Sequence, residues 1–346
     1  MTDANQFEKS NSNTGDFEVD PIFTNAFTYN EQVFSGYTSF DSNYKKLKYS
    51  LGLRLEHVEI KSFSETIGQK FNNSYTNFLP VIALKYMTNI MQTSNIGLSY
   101  RKGYKLPPYV QLNPFETFVN SNTIERGNPQ LTQNVYHIFG LSHTINNKYF
   151  LSLNANIYNN LFQTTQIIED DNTTISYQNL GNRYLYKADF RTTLKLYPWW
   201  RLNVNPMLRY SVLKNGRVKN DAFTWNAYLT NTFTFPKSLV LNVTSLISNG
   251  ESSGFDTPNS FVRINTRISL SKRFLKNKAS ASIGIADILG VSNRTESNYV
   301  IDNTSFSRRA EIQSPLINFN FSYRFSSGSK INKKSKKSTG VDSSRL

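Results

Sequence analysis

Apolar and polar residues alternate with a period of two along most of the chain. In residues 47–56, leucine and tyrosine occupy every second position, and lysine, serine, glycine, arginine and glutamate lie between them. The same alternation recurs in residues 187–196, 200–210, 262–270 and 317–325. Because successive side chains of a strand point to opposite faces, each segment predicts a strand with one apolar and one polar face.

The joins between these strands alternate between short and long. The short joins are residues 42–46, 89–92, 146–148, 198–199, 236–238 and 276–278. The other joins are mostly longer and are rich in Asn, Ser, Gly and Asp: residues 61–77, 103–133, 170–174, 214–221, 249–260 and 290–310. Short turns on one rim and long loops on the other are typical of an outer-membrane barrel, and the strands are about long enough to cross a bilayer at a tilt.

The fold class that follows is all-β, an antiparallel up-and-down transmembrane β-barrel with about 13–14 strands. About thirteen strands lie between Glu31 and Phe325, whereas bacterial single-chain barrels close with an even number, so at least one partner strand is missing. Residues 17–29 could supply it, but they read better as the end of a preceding loop. We therefore divide the chain into an N-terminal loop (1–29), barrel strands (30–325) and a basic, flexible periplasmic tail (326–346).

Composition excludes several classes of protein. The mean hydropathy of −0.47 and the lack of any run near the ~20 apolar residues of a membrane helix exclude a helical membrane protein. Aromatic residues make up 14% and charged residues only 18%, which does not fit a disordered chain. With zero Cys, disulfide scaffolds, thiol nucleophiles and Cys-ligated metals are excluded. The N-terminus lacks the basic start and apolar core of a secretion signal, so we expect a protein that stays inside the cell or a fragment.

The net charge of +15 raises the question of a nucleic-acid partner. Six basic side chains against Asp342 give the tail a charge of +5, and the rest is spread between apolar residues of the strands. No nucleic-acid-binding motif accompanies it, so no nucleic-acid partner is predicted.

The longest loop carries a run of short motifs. They are Tyr100-Arg101, Leu106-Pro107-Pro108-Tyr109, Leu112-Asn113-Pro114-Phe115 and Gly127-Asn128-Pro129-Gln130-Leu131. Others follow the same order along the chain: Phe27-Thr28-Tyr29-Asn30-Glu31, Gly52-Leu53-Arg54-Leu55-Glu56, Asn179-Leu180-Gly181-Asn182, Trp199-Trp200, Ala286-Asp287-Ile288-Leu289 and Tyr323-Arg324-Phe325. Together they resemble the outer-membrane β-barrel domain of TonB-dependent receptors from about Ala26 to Leu346. Gln133 and Asn134 depart from the Pro and acidic residue usual in that family, which weakens any substrate inference from this loop.

The resemblance implies the C-terminal part of a 22-strand barrel that imports a bulky nutrient or a metal chelate across the outer membrane of a Gram-negative bacterium. The plug and the TonB box of such receptors are not in these residues, so TonB would act only through that missing region. The implied partners are the lipid bilayer, the barrel-assembly machinery and a surface lipoprotein, with no cofactor. The alternative is a passive porin or a structural or adhesion barrel without a plug.

Candidate ligand contacts lie on the longest loop, where a solute from outside arrives first. They are Tyr104, Tyr109, Asn113, Phe115, Arg126 and Asn128. The same residues fit loop packing, because prolines and Gly127 fix turns and Asn side chains bond the backbone. Both interpretations stay open at this point, with loop packing the preferred one.

The strand pattern assigns further side chains to the lumen, the membrane interface and the assembly pathway. Four arginines on the polar face are expected to keep a lumen wet and basic, a hint of anionic substrates: Arg201, Arg209, Arg263 and Arg267. Aromatics at a short turn are expected at the membrane interface: Tyr197, Trp199 and Trp200. The closing Tyr323 and Phe325 resemble the last-strand signal of barrel assembly.

Catalytic and metal sites are not predicted. His137 and His143 share a strand face but lie ~20 Å apart at strand rise, too far for one metal ion. An outer-membrane hydrolase would need His57, His137 or His143 beside a Ser, and no nucleophile-elbow motif is present. Glu169, Asp170 and Asp171 lack the ligand spacing of a calcium loop and read as a solvated hairpin tip.

Overall fold

The computed structural model describes residues 2–5, 8–10, 17–19, 24–169, 172–215, 218–249, 262–290, 294–301, 304–311 and 313–325. The first eleven strands are β1 (Thr2–Asn5), β2 (Glu8–Ser10), β3 (Phe17–Val19), β4 (Asn25–Tyr44), β5 (Leu47–Ser64), β6 (Gln69–Met87), β7 (Asn95–Lys105), β8 (Glu116–Asn120), β9 (Thr123–Arg126), β10 (Asn134–Ile145) and β11 (Tyr149–Asn159). The remaining strands are β12 (Phe162–Glu169), β13 (Asn172–Asn179), β14 (Asn182–Tyr197), β15 (Trp200–Asn215), β16 (Val218–Phe235), β17 (Leu239–Ser248), β18 (Arg263–Phe274), β19 (Ala279–Ala286), β20 (Arg294–Ile301), β21 (Thr304–Glu311) and β22 (Leu316–Tyr323).

Fourteen of these strands form one antiparallel sheet whose order follows the chain. The order is β1-β4-β5-β6-β7-β10-β11-β14-β15-β16-β17-β18-β19-β22. Among the strands that the structure describes, three small sheets lie outside it, and the largest has the order β12-β13-β9-β8. The predicted all-β, up-and-down architecture is confirmed. Within the described residues, no helix is long and apolar enough to cross a membrane.

The register separates an apolar face from a polar face across the whole sheet. One cross-strand row runs Leu98, Leu141, Leu153, Ala188, Leu208. The adjacent row, one residue along each strand, runs Ser99, Gly140, Asn154, Lys187, Arg209 and therefore points to the other side. An apolar outer face against lipid and a polar inner face are the pattern of an outer-membrane barrel. We call the polar side the lumen face.

Two predicted loops are instead extensions of strand hairpins. Residues 61–77 contain the end of β5 and the start of β6, joined by a turn at 65–68. Residues 214–221 contain the paired ends of β15 and β16. Because strand pairing satisfies the backbone polar groups of these segments, the polar composition that suggested loops belongs to paired strands beyond the membrane belt. Residues 290–310 contain the β20–β21 hairpin, and most of 249–260 lies outside the described residues.

The N-terminal boundary also differs from the prediction. Strand β4 begins at Asn25, not near Glu31, because β1 pairs with its first four residues. The fourteenth strand of the sheet is thus β1, and residues 25–29 belong to β4 rather than to a preceding loop. The tail 326–346 lies outside the described residues.

Candidate functional site

The extracellular end of the lumen face is filled by the loop that joins β7 to β10. Its apolar residues pack against β4 and β5 in one buried cluster: Phe27, Tyr29, Val58, Ile60, Leu106, Leu112 and Leu131. Val58 and Ile60 lie on the face that carries Gly52 and Arg54 lower down, so this otherwise polar face of β5 has an apolar stretch where the loop packs. Removal of these side chains from water holds the loop against the wall. We call this region the packed mouth.

Three of the six predicted ligand contacts lie inside the packed mouth. The ring of Tyr109 lies 6.3 Å from that of Tyr29, and Tyr104 hydrogen-bonds the buried carboxylate of Glu56. Asn113 is buried, and its side-chain oxygen accepts the backbone N–H of Phe115 at 3.1 Å. For Tyr104, Tyr109 and Asn113 these contacts are those expected of loop packing.

Gly127 shows how closely the loop is folded on itself. A Cβ atom at this position would overlap the carbonyl oxygen of Asn113 and lie 2.8 Å from that of Gln111. Next to it, the backbone N–H of Asn128 donates to Gln111 at 2.6 Å, and its side-chain amide donates to the carbonyl of Tyr177 at 2.8 Å. The Gly-Asn-Pro motif therefore fixes a close backbone approach and ties this loop to a second one.

The loop that joins β7 to β10 and the loop that joins β11 to β14 together form the small sheet β12-β13-β9-β8, which we call the loop sheet. Strands β13 and β9 pair in parallel, with Thr173–Ile175 opposite Thr123–Glu125. Beside this pairing, the hydroxyl of Tyr177 donates to Glu125 at 2.5 Å. Burial and the neighbouring Glu125 carboxylate raise the pKa of Tyr177 to about 12. The two loops thus form a single roof above the sheet.

Amide side chains fasten the base of this roof to the barrel. Gln133 and Asn77 exchange two side-chain hydrogen bonds of 2.9 and 3.0 Å, and Asn134 donates to the carbonyl of Asn159 at 3.1 Å. Gln133 and Asn134 are the two positions at which the sequence departs from its resemblance. Here they end the loop with side-chain bonds to β6 and β11.

A cavity of about 680 Å³ lies between the β5–β6 turn, the long loop and the loop sheet. Phe115, Arg126 and Asn128, the other three predicted ligand contacts, line it. Arg126 pairs with Glu116 at 3.1 Å, so the charges of this pair offset each other. The sequence analysis did not single out five other residues that line the cavity, because they come from segments far apart along the chain: Gln69, Phe71, Gln130, Ser176 and Gln178.

The four predicted lumen arginines all lie on the polar face of the sheet. Arg209 stands directly opposite Lys187, and Arg201 directly opposite Lys195. Arg267 lies opposite Thr244, in a row of hydroxyl and amide side chains, and Arg263 opposite Ser248. The lysines of the two like-charged pairs come from β14 and were not singled out by the sequence pattern.

The predicted interface aromatics form one stack at the short turn between β14 and β15. The rings of Tyr197 and Trp199 lie 5.5 Å apart, and Trp200 lies 5.6 Å from Phe233 of the next strand. The indole N–H of Trp200 donates to Asn231 at 2.9 Å. At the end of the sheet, the rings of Tyr323 and Phe325 meet edge to face at 4.7 Å, and Phe325 is 87% exposed.

The histidines contact hydroxyl groups or apolar neighbours, and Nε2 of His57 also lies 3.5 Å from the Glu59 carboxylate. Nδ1 of His57 lies 3.0 Å from the Thr76 hydroxyl, and Nδ1 of His137 lies 3.0 Å from the Tyr100 hydroxyl. His143 stands opposite Leu151 on the apolar face. In the part of the chain that the structure describes, no group of three or more His, Asp or Glu side chains could hold a metal ion. Asp170 and Asp171 lie outside that part.

A second cavity, of about 550 Å³, lies on the apolar face. Its floor includes Ala155 and Ala188, and its sides include Tyr186, Leu208 and Phe223. These side chains share the face of the leucine row that meets lipid, so this cavity is a depression in the membrane-facing wall and does not open to the mouth.

Comparisons with known proteins agree with this geometry. A family described as "Outer membrane protein beta-barrel family" matches residues 1–323. Among solved structures, the siderophore receptor PirA from Pseudomonas aeruginosa is similar with a TM-score of 0.55 and 10% identity, over 88% of this chain and 58% of that chain. The copper transporter OprC is similar with a TM-score of 0.60 and 12% identity, over 91% of this chain and 52% of that one.

A third solved structure, the ferric yersiniabactin uptake receptor FyuA from Yersinia pestis, has a TM-score of 0.54 and 9% identity, over 87% of this chain and 47% of that chain. At such identities the similarity shows the fold alone. The chain spans about half the length of these structures. No curated protein sequence matches the chain.

Proposed function

Because the chain belongs to the outer membrane protein beta-barrel family, we propose that it forms the wall and ligand-binding mouth of a TonB-dependent receptor that imports a bulky nutrient or a metal chelate. The protein is an outer-membrane protein of a Gram-negative bacterium. The chain spans about half the length of the similar structures, so the plug and the TonB contact would be supplied by residues outside it.

The observation that carries this proposal is the cavity at the mouth. Two loops from separate barrel hairpins meet in the loop sheet, which together with the β5–β6 turn lines about 680 Å³ of space with polar and aromatic side chains. A plain pore needs no such roof, whereas a receptor needs a site that holds its solute before transport. Phe115 offers an aromatic face, and the amides of Gln69 and Gln130 offer both donors and acceptors.

Transport would then proceed from this cavity along the polar lumen face once the plug is displaced by energy from the inner membrane. In this mechanism the wall contributes solvated side chains and the mouth contributes selectivity. The stack around Trp199 would hold the periplasmic rim at the lipid interface, and Tyr323 with Phe325 would be read by the barrel-assembly machinery.

The alternative is a passive porin or an adhesion barrel without a plug. A polar lumen face also fits a porin, so conductance separates the two functions. The complete gene product, reconstituted in a planar bilayer, should show no steady conductance if it is a plugged receptor. A stable open channel in that experiment would support the porin instead.

The gene upstream of Met1 gives a second test. An open frame that encodes a signal peptide, a plug and earlier strands would support active import. A stop codon with a promoter of its own would contradict it.

A pair of phenylalanines in the long loop tests the cavity itself. Phe115→Ala removes an aromatic face from the cavity, whereas Phe118→Ala alters an exposed residue of β8 that does not line it. We expect strains that depend on this receptor to lose uptake with Phe115→Ala and to keep it with Phe118→Ala. Equal uptake by both variants would place the ligand elsewhere.

A further inference from the structure

Two pairs of like charges stand face to face on the lumen side of β14 and β15. Lys187 is directly opposite Arg209, and Lys195 is directly opposite Arg201. Within the described residues, no ion pair with a carboxylate involves any of these four side chains. Like charges directly opposite each other on a sheet destabilise it, so this arrangement favours binding of a counter-ion.

A further basic side chain lies halfway between the two pairs. Lys187, Arg191 and Lys195 follow one another at every fourth residue of β14 and therefore share one face. At strand rise, neighbours in this series lie ~13 Å apart and the two pairs ~26 Å apart. Asp189 is the only carboxylate on the lumen face of β14, so positive charge predominates along its whole length. We call Lys187, Arg191, Lys195 and the two opposing arginines the basic ladder.

We propose that the basic ladder binds anionic solutes in steps on their way through the lumen, so that the substrates of the proposed receptor carry several negative charges. The inference rests on the proposed function. Each pair can hold one carboxylate or phosphate group between a lysine and an arginine. Several weak sites in series favour passage, because a solute must leave each site as readily as it enters.

The position of the basic ladder favours movement of a solute through the lumen rather than its retention at one site. Its upper pair, Lys187 and Arg209, lies in the row of Ser99 and Gly140, below the packed mouth. Its lower pair stands close to the short turn at Trp199, at the periplasmic rim. A wall lined by one sign of charge raises the local concentration of solutes of the opposite sign.

These 346 residues contain no cysteine, so an introduced thiol can report the potential along this wall once any cysteine elsewhere in the complete protein has been replaced by serine. Asn205 lies midway between Arg201 and Arg209 on the lumen face of β15. In the complete protein, the thiol introduced by Asn205→Cys would react with methanethiosulfonate reagents of opposite charge, the sulfonatoethyl anion and the trimethylammonioethyl cation. The rate of each reagent with the introduced thiol is divided by its rate with a small free thiol. This division removes the difference in intrinsic reactivity between the two reagents.

We expect the anionic reagent to react faster than the cationic one by this normalised measure. The double variant Lys195→Gln, Arg201→Gln should lower that ratio on the order of threefold at low salt. Inorganic tripolyphosphate should slow the anionic reagent, and the variant should lose this protection. Glutamine keeps much of the length of the side chains, and heat-modifiable migration in gels confirms that the barrel has folded.

The chain supplies a matched control. Lys214 and Lys219 also stand directly opposite each other, in the hairpin of β15 and β16, but on the other face and at its extracellular tip. Lys214→Gln with Lys219→Gln should leave both the ratio and the protection unchanged. An equal fall with this control would overturn the proposal, because it would reflect net charge and not the ladder.

Two further outcomes would also overturn the proposal. Equal normalised rates with the ladder intact would mean that it does not concentrate anions. Failure of both reagents to reach the introduced thiol, while the unfolded protein reacts, would mean that another polypeptide segment covers the wall. By contrast, absence of TonB-dependent uptake together with an intact rate ratio would overturn only the proposed function.

Discussion

The packed mouth and the basic ladder are two ends of the same polar face, and they treat charge in opposite ways. In and around the mouth, Arg54 pairs with Glu56 at 3.0 Å and Arg126 with Glu116 at 3.1 Å. On β14 and β15, basic side chains face one another instead. The comparison shows that one strand scaffold carries a packed region whose charges are paired and a second region whose basic side chains face one another.

The largest expected effect contrasts two aromatic residues on the same face. Phe27 is 1% exposed in the packed mouth, whereas Tyr228 on β16 is 43% exposed. Phe27→Ala should lower the free energy of unfolding by about 3–5 kcal/mol, because it leaves a cavity. Tyr228→Ala should lower it by less than about 1 kcal/mol. Urea unfolding in lipid vesicles measures both changes in free energy. Similar losses for the two variants would contradict the difference in packing between the two regions.

A second test asks whether the apolar face meets lipid along the wall that joins the two regions. Leu153→Arg should destabilise the barrel by about 2–4 kcal/mol, since a charge then enters the hydrocarbon layer. Its neighbour Ser152 points to the lumen, so Ser152→Arg should have a much smaller effect. The Leu194→Arg variant, nearer the periplasmic turn, should fall between them. Unfolding in lipid vesicles again gives the values, and the assigned faces would be wrong if Ser152→Arg were the more harmful change.

The third prediction concerns the close backbone approach in the mouth. Gly127→Val places atoms against the carbonyl oxygens of Asn113 and Gln111, so the loop must shift at a cost of about 1–3 kcal/mol. Limited proteolysis should then cleave within residues 106–133 while the barrel stays intact. As a control, Gly36 has open space around the position of an added Cβ, and Gly36→Val should leave the loop protected.

The smallest effect is a pH dependence of the loop sheet. The pKa of Tyr177 is raised to about 12 in the folded protein, above the ordinary value near 10. The protonated hydroxyl is therefore favoured by folding, and its stabilisation is present below pH 10 and is lost as the pH rises toward 12. Proteolysis of the loops should increase over that interval.

Tyr177→Phe is the variant that checks this assignment. It should remove the pH dependence above about pH 10 and lower loop stability by about 0.5–1.5 kcal/mol at neutral pH, through loss of the bond to Glu125. An unchanged pH profile in the variant would assign the titration to another group.

The sequence predicts the wall better than the mouth, for a physical reason. Strand faces follow from neighbours two residues apart, so the alternation alone assigns Arg201 and Arg209 to the polar face, and the strand register puts them on the same face. The packed mouth depends on contacts between residues far apart, such as Tyr29 with Tyr109. A local pattern holds no information on such contacts.

The positions at which strands end also depend on contacts between residues far apart in the chain. Residues 61–77 are polar enough to suggest a loop, yet Ser62 and Ser64 are buried because the inserted loop covers that face. The cavity could not be predicted either, since Gln69 and Gln178 come from separate hairpins and meet only after the loops have folded together. The Leu-Asn-Pro-Phe and Gly-Asn-Pro motifs are the local signals that point to this region.

The parallel pairing of β9 with β13 has a consequence for biogenesis. Tyr177 and Glu125, which meet beside it, are 52 residues apart, and the complete β10–β11 hairpin lies between them. Closure of so long a loop is entropically unfavourable and slow unless the intervening hairpin has already been inserted. The roof is therefore expected to assemble after the β10–β11 hairpin, and until then the extracellular end of the neighbouring strands would be uncovered.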